Sequence, residues 1–330
     1  MALVRTDPII AWLLSSEIPT IRYRTLVELL EVKENDPEVK NVKRHIMDEG
    51  PVPTILGKQN AGGYWGEPED FYQRSRYRGS CWNVHLLAQL DADGNDERIK
   101  AACEFMLQYS QHHETGVFCY RGDSSGGMKK GMLPCLTANM VYSMAKFGYA
   151  RDERVLKAAS WLVNNMRYEL KGVTEKNWPY HYDICWRKRT CRSGAVKVLN
   201  GLMEMRDNGA PLQIDRSIEE CSEYVARSCT GRDETQPSTL TRPEWDRLGF
   251  PHLYDTDLLE IGDVLWRSGV RGKAMDEIAE RIRSFQGNDG RWTQNGQFVN
   301  KLSVRIEKPN QQSRFVTMLS LILLSKMNKI

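Results

Sequence analysis

The chain has 330 residues, of which 41% are hydrophobic and 27% are charged, and its formal net charge at pH 7 is +3. This composition is typical of a folded globular protein and excludes a mainly disordered chain. A net charge so close to zero gives no overall electrostatic footprint for nucleic acid, so we expect no nucleic-acid partner.

The chain begins with MALVRTDPIIAWLLSSEIP, in which acids and prolines interrupt the apolar residues. An uninterrupted apolar run of about six residues is too short for a signal peptide or a membrane span. We therefore expect a cytoplasmic protein with no membrane span. In that compartment the eight cysteines are expected to be thiols or metal ligands rather than disulfides.

Residues 1–35 predict a pair of helices, DPIIAWLL and IPTIRYRTLVELLEV, with Pro19 in the first turn of the second. Amphipathic helices with one charged face follow along the chain, as expected for helices with one side in water. They begin near Asp96, Asp152, Ile214 and Gly272.

A second set of predicted helices carries more small and apolar residues and is expected to be buried on most sides. These helices begin near Ser80, Pro134, Cys191, Tyr254 and Ser313, at intervals of 50 to 60 residues or a little more. The strict alternation of the two sets predicts an all-α fold, a closed (α/α)6 barrel (α/α toroid) built from helical hairpin repeats. We expect residues 1–330 to form one domain, with residues 1–35 supplying the pair that completes the barrel.

Segments that end in glycine and an aromatic residue separate an outer helix from the next inner one. They are QNAGGYW (59–65), QHHETGVF (111–118), GVTEKNW (172–178) and QGNDGRW (286–292). From about Val39 to the C terminus the chain resembles the α/α toroids of the terpenoid cyclase and protein prenyltransferase superfamily, which includes the squalene cyclases. The resemblance implies that the glutamines and tryptophans of these segments tie neighbouring helices together. It leaves the function open, because the superfamily also contains non-enzymatic domains.

Two functional motifs of this superfamily have partial matches. The class II cyclase motif D-x-D-D, which supplies a catalytic acid, is matched by Asp255-Thr256-Asp257, with Leu258 in place of the last acid. Asp255 and Asp257 are therefore candidate catalytic residues, and helix capping is the alternative. The zinc motif of prenyltransferases is matched by Asp183-Ile184-Cys185, with His252 further along the chain.

Four cysteines flank two successive loops that precede inner helices. Because the inner helices of such a barrel are parallel, these loops share one rim. Four thiolates suit the tetrahedral geometry of zinc. The alternative is that each cysteine is a small buried hydrophobic residue. The candidate metal ligands are Cys119, Cys135, Cys185 and Cys191.

Cationic and aromatic residues accompany these cysteines at the N-terminal rim. Helix N-termini and cations together favour an anion, and aromatic rings can line an apolar cavity or stabilise a cation. Solvated charges and packing between repeats are the alternatives. The candidate ligand-binding residues are Arg187, Lys188, Arg189, Arg192, Trp82 and Trp186.

Three functions remain open at this stage. The first is a cyclase-like or prenyltransferase-like toroid that binds a hydrophobic, isoprenoid-like small molecule in its central cavity, with zinc at the rim. The second is a non-catalytic scaffold that presents its rim to a protein partner. The third is a zinc-dependent transferase.

Overall fold

The structure is a computed structural model that describes residues 3–69, 71–72, 77–168, 191–229, 232–233, 236–240, 245–295, 302–308 and 310–328. Within these residues, six inner helices alternate with six outer helices along the chain. The inner helices are α2 (Pro19–Arg24, continued by a π-helical turn Thr25–Leu29), α5 (Ser80–Gln89), α7 (Pro134–Met144, continued by a π-helical turn Ala145–Tyr149), α9 (Arg192–Asp207), α11 (Leu258–Arg267) and α13 (Arg314–Lys326). The outer helices are α1 (Pro8–Leu14), α3 (Pro37–His45), α6 (Glu97–Phe105, continued by a π-helical turn Met106–Ser110), α8 (Glu153–Asn165), α10 (Asp215–Cys229) and α12 (Lys273–Ser284).

The inner helices form a closed ring. Each of α5, α7, α9 and α11 packs against the next inner helix, and α13 packs against α2. Between α2 and α5 the ring is joined by Thr20, whose hydroxyl donates to the carbonyl of Leu90 at 2.7 Å. The predicted all-α barrel of helical hairpins is confirmed.

Burial separates the two sets of helices in the way the sequence predicts. Every residue of α5 is buried, whereas α8 buries only one face. The outer helices α6 and α8 begin at aspartate caps, Asp96 and Asp152, which accept first-turn backbone N–H bonds. The buried apolar side chains form one continuous cluster. That the whole chain is a single domain stays a prediction.

The glycine-aromatic segments act as ties between repeats. In the three described segments the glycine has a positive φ, and a glutamine Nε2 donates to its carbonyl. Gln59 and Gln111 also donate to a first-turn carbonyl of the following outer helix, Arg98 at 2.8 Å and Arg154 at 2.9 Å. The indole N–H of Trp65 donates to Ile55, and that of Trp292 donates to Ile282.

Smaller elements complete the described fold. A short helix α4 (Pro51–Leu56) precedes α5, and a 3-10 turn (Lys129–Gly131) precedes α7. Two antiparallel hairpins pair β1 (Gly122–Asp123) with β2 (Gly126–Gly127) and β3 (Arg232–Asp233) with β4 (Gln236–Leu240). No helix in the described ranges is long and apolar enough to cross a bilayer.

Candidate functional site

The cysteines predicted as metal ligands do not share one environment. Cys191 caps α9, where its sulfur accepts from the N–H of Gly194 at 3.4 Å. Cys135 lies in the first turn of α7; burial raises the pKa of its thiol to about 11, and the nearby Cys191 adds to the rise. Cys119 is fully buried, and its thiol faces the carbonyl of Val117 at 3.6 Å.

The predicted zinc site therefore has no complete ligand set in the described part of the chain. No three His, Cys, Asp or Glu side chains there are grouped so that they could hold a metal ion. Cys185 lies outside the described residues, as do Arg187, Lys188, Arg189 and Trp186. A zinc site that includes Cys185 stays a prediction.

The remaining predicted ligand-binding residues make contacts within the protein. Trp82 is buried, its indole N–H donates to the carbonyl of Tyr72 at 2.9 Å, and its ring stacks on the Tyr72 ring at 4.8 Å. Arg192, at the start of α9, interacts with the phenol of Tyr224 on α10. These contacts match the packing alternative, and binding by either residue stays a prediction.

The two candidate catalytic aspartates do not converge. Asp257 is buried and caps α11: Oδ1 accepts from the N–H groups of Leu259 and Glu260, and Oδ2 accepts from the N–H of Gly249 at 2.6 Å. Asp255 is exposed, and its carbonyl accepts from Lys197 at 3.3 Å. The structure gives Asp257 the capping role that was the alternative to catalysis, and a catalytic role for either aspartate is untested.

Residues 248–257, which we name the axial loop, run into the barrel ahead of α11. The backbone of His252 is held by side chains of α5: its carbonyl accepts from His85 at 3.0 Å and from Gln89 at 2.9 Å, and its N–H donates to Gln89. The ring of Phe250 stacks on Phe315 of α13 at 3.8 Å. The loop is therefore anchored to helices that come from two sides of the ring.

Above the axial loop lies a cavity of about 340 Å³, which we name the axial cavity. Phe250 and His252 of the loop line its floor, and all six inner helices or the residues directly after them line its wall. The wall residues come mainly from the C-terminal halves of these helices. The sequence directed attention to the N-terminal rim, and that expectation missed this cavity at the opposite end of the barrel.

Ion pairs form a belt around the wall of the axial cavity. Glu28 of the α2 turn accepts from Arg24 at 2.6 Å and lies 3.4 Å from Lys326 of α13. Burial would raise the pKa of Glu28, but the two cations outweigh burial and lower the pKa to about 2. The belt thus holds ionised groups beside the cavity.

The belt continues through α11 and α9. Arg267 donates to Glu204 at 3.0 Å and to Asp207 at 2.8 Å, and its guanidinium lies 3.7 Å from Asp263. Lys146, in the π-helical turn after α7, pairs at 2.5 Å with Asp91, which follows α5. The fixed charges of the wall are therefore mostly paired with one another.

A second group of charges is buried at the floor of the cavity, where His252 and Glu260 line it. The ammonium of Lys197 lies 2.7 Å from both carboxylate oxygens of Glu260, and the two side chains are 1% and 3% exposed. His252 Nε2 lies 3.1 Å from Asp257 Oδ1, without the alignment of a hydrogen bond. Burial would lower the pKa of His252, but Asp257 and Glu260 outweigh it and raise the pKa above its ordinary value.

Three polar groups of the cavity wall keep hydrogen-bonding capacity. In the described part of the chain, the hydroxyl of Tyr142 and the amide nitrogen of Asn200 have no hydrogen-bond partner. Asp263 is 40% exposed, and its nearest cations lie 3.7 and 3.8 Å away, beyond hydrogen-bond distance. The cavity thus presents both donors and an acceptor to a ligand.

The sequence does contain a signal for this site. Charged residues stand in the second halves of several inner helices, within mostly apolar segments such as SMAKFGY, GLMEMRD, IGDVLWR and ILLSK. A charge on the buried face of an inner helix needs a partner or water. Charges in the same half of four inner helices indicate a shared polar interior at one end of the barrel.

The comparisons with known proteins concern the fold. No family model matches the chain, and no curated protein matches it. A glycosyl hydrolase of family 88 from Bacteroides vulgatus has a TM-score of 0.46 at 12% identity, over 95% of this chain and 90% of that one.

Two structures of the type II terpene cyclase MstE from Scytonema are also similar. The variant bound to its substrate geranylgeranyl dihydroxybenzoate has a TM-score of 0.31 at 11% identity, over 84% of this chain and 94% of that one. The apo form has a TM-score of 0.30 at 11% identity, over 84% and 95% of the two chains. Similarities this low carry no information on ligand or reaction.

Proposed function

We propose that the chain binds a small polar molecule in the axial cavity. The observation that carries this proposal is the set of unused polar groups on the wall, Tyr142, Asn200 and Asp263, which come from three different inner helices. A cavity of about 340 Å³ lies at the small end of the range for ligand pockets. Such groups fix the orientation of a ligand that brings its own donors and acceptors.

The lining favours a polar ligand over the isoprenoid expected from the sequence resemblance. Ten of the 23 lining residues are acidic or basic, and seven are aliphatic or phenylalanine. An isoprenoid chain packed against these charges would remove water from them and return no hydrogen bonds. Taking a polar group out of water without a replacement bond costs about 1–3 kcal/mol in proteins, and a charge costs more.

Ligand-observed NMR and calorimetry with a matched panel test this proposal. The panel contains glucose and glucosamine as polar ligands and geranylgeranyl diphosphate as the apolar one. We expect polar ligands to bind the native chain and to lose most of their affinity in Asn200→Leu. Leucine matches asparagine in size but removes the amide from the wall. Asn164→Leu, at an exposed position of the outer helix α8, is the control and should bind as the native chain does.

The panel also separates the competing functions. Binding of geranylgeranyl diphosphate alone would overturn the polar ligand and favour the isoprenoid. Absence of binding by every compound, with circular dichroism unchanged in both variants, would overturn small-molecule binding in this cavity and favour the scaffold.

A further inference from the structure

We infer that the ligand of the axial cavity carries a positively charged amine. This inference rests on the proposed function and names the chemical class of its ligand. The cavity is lined mainly by the C-terminal halves of the six inner helices. The C-terminal end of a helix carries a partial negative charge of about half an electron, so six such ends around one cavity favour a cation.

The side chains of the wall add to this negative potential. Six carboxylates line the cavity, against four lysine or arginine side chains. Glu260 is paired with Lys197, and His252 is paired with Asp257, which leaves five carboxylates facing four lysine or arginine side chains. The lining carboxylates are Glu28, Glu34, Asp91, Glu204, Glu260 and Asp263, and the lining cations are Arg24, Lys146, Arg267 and Lys326.

The four cations of the wall are already engaged, which disfavours an anionic ligand. Each lies within 3.4 Å of a carboxylate oxygen. An anion would have to displace the carboxylates that bind these cations, and the negative helix ends would repel it. An ammonium displaces no carboxylate, and the helix ends attract it.

Asp263 is the carboxylate best placed to receive the amine. Its two cation contacts, to Arg267 and Lys326, are 3.7 and 3.8 Å long, so neither makes a hydrogen bond to it. Both cations have closer acidic partners: Arg267 has Glu204 and Asp207, and Lys326 has Glu28. Their repulsion of an incoming ammonium is therefore largely compensated.

Aromatic rings supply the rest of a cation site. Tyr23 and Tyr142 line the same wall, and the ring of Tyr142 already lies 6.0 Å from the ammonium of Lys146. An ammonium within about 6 Å of such a ring is attracted by its π face. The free hydroxyl of Tyr142 can also accept an ammonium N–H.

Calorimetry with 1,5-diaminopentane and 1,5-pentanediol tests the inference, because the two molecules share one carbon chain and differ mainly in charge. We expect the diamine to bind at least about tenfold more tightly than the diol. Asp263→Asn should remove most of that preference. Asp48→Asn, at an exposed position outside the cavity, should leave it unchanged.

The outcomes separate this inference from the proposed function. Equal binding of diamine and diol would overturn the amine while leaving the polar cavity in place. A preference that persists in Asp263→Asn would overturn the placement of the amine on Asp263. If the diamine, the diol and the two sugars all fail to bind, both the amine inference and the proposed function fail. Circular dichroism of the Asn variants shows whether a loss of binding comes from unfolding.

Discussion

His85 is a buried histidine that the fold holds in the neutral form. Its Nε2 contacts the carbonyl of His252, which can only accept, so Nε2 carries the proton. Nδ1 lies 2.9 Å from the hydroxyl oxygen of Ser143, which itself donates to the carbonyl of Asn139 at 2.7 Å. Burial, together with the charge of Lys197, lowers the pKa of His85 to about 3. The side chain that binds the axial loop is thus neutral in the folded protein at pH 7.

The pKa of His85 makes the stability of the protein depend on pH. The unfolded chain takes up a proton near pH 6.5, whereas the native chain does so only near pH 3. The contribution of His85 is therefore complete above pH 6.5 and is lost as the pH falls towards 3. Between about pH 6.5 and about pH 5 we expect the free energy of unfolding to drop by about 2 kcal/mol.

Urea unfolding of the native chain and of His85→Gln at the two ends of this range measures the effect. Glutamine keeps an N–H for the His252 carbonyl but does not titrate. The variant should be less stable at the upper end of the range and should lose much less stability on acidification. An equal loss in both proteins would show that His85 does not cause the pH dependence.

The axial loop and α11 depend on one aspartate. The sequence predicted the inner helix to begin near Tyr254, but it begins at Leu258, because Asp257 caps it and also binds the N–H of Gly249. The same carboxylate therefore fixes the start of the helix and the path of the loop before it.

Asp257→Ala should destabilise the protein more than loss of an ordinary cap does. Loss of a cap costs about 1 kcal/mol, and the buried N–H of Gly249 adds about 1–3 kcal/mol when it is left without a partner. Asp96→Ala removes the cap of the outer helix α6. Within the described residues the Asp96 carboxylate binds no backbone N–H outside its own helix, so the change should cost only about 1 kcal/mol.

Chemical denaturation of both variants checks this expectation. Equal destabilisation would mean that the bond to Gly249 contributes nothing. An Asp257→Ala variant that remains as stable as the native chain would contradict the capping role of Asp257.

The helices were predictable from the sequence because their causes are local. Pro134 and Ser313 mark the starts of α7 and α13 through their own backbone and side chains. The axial cavity was not predictable in this way, since Glu204 and Arg267 meet only after two repeats have packed together. The two hairpins were missed because strands of two to five residues are too short to show alternation.

At the scale of the whole molecule, the barrel is a series of repeats joined by similar ties. Gln59 and Gln111 each bridge their own glycine turn and the next outer helix. Gln286 makes the bond within its turn, at 2.9 Å, but no bond to another helix in the described part of the chain. Equivalent sequence positions therefore contribute differently to the contacts between repeats.

Gln111→Ala and Gln286→Ala form a matched pair that tests this view. Gln111 is 2% exposed, and its loss leaves the carbonyls of Gly116 and Arg154 without their donor, so we expect a cost of about 2–3 kcal/mol. Gln286 is exposed and its carbonyl partner can turn to water, so its loss should cost under about 1 kcal/mol. Denaturant unfolding measures both values. Similar costs would mean that the glutamine stabilises the protein through its bond to the glycine carbonyl and not through its bond to the next outer helix.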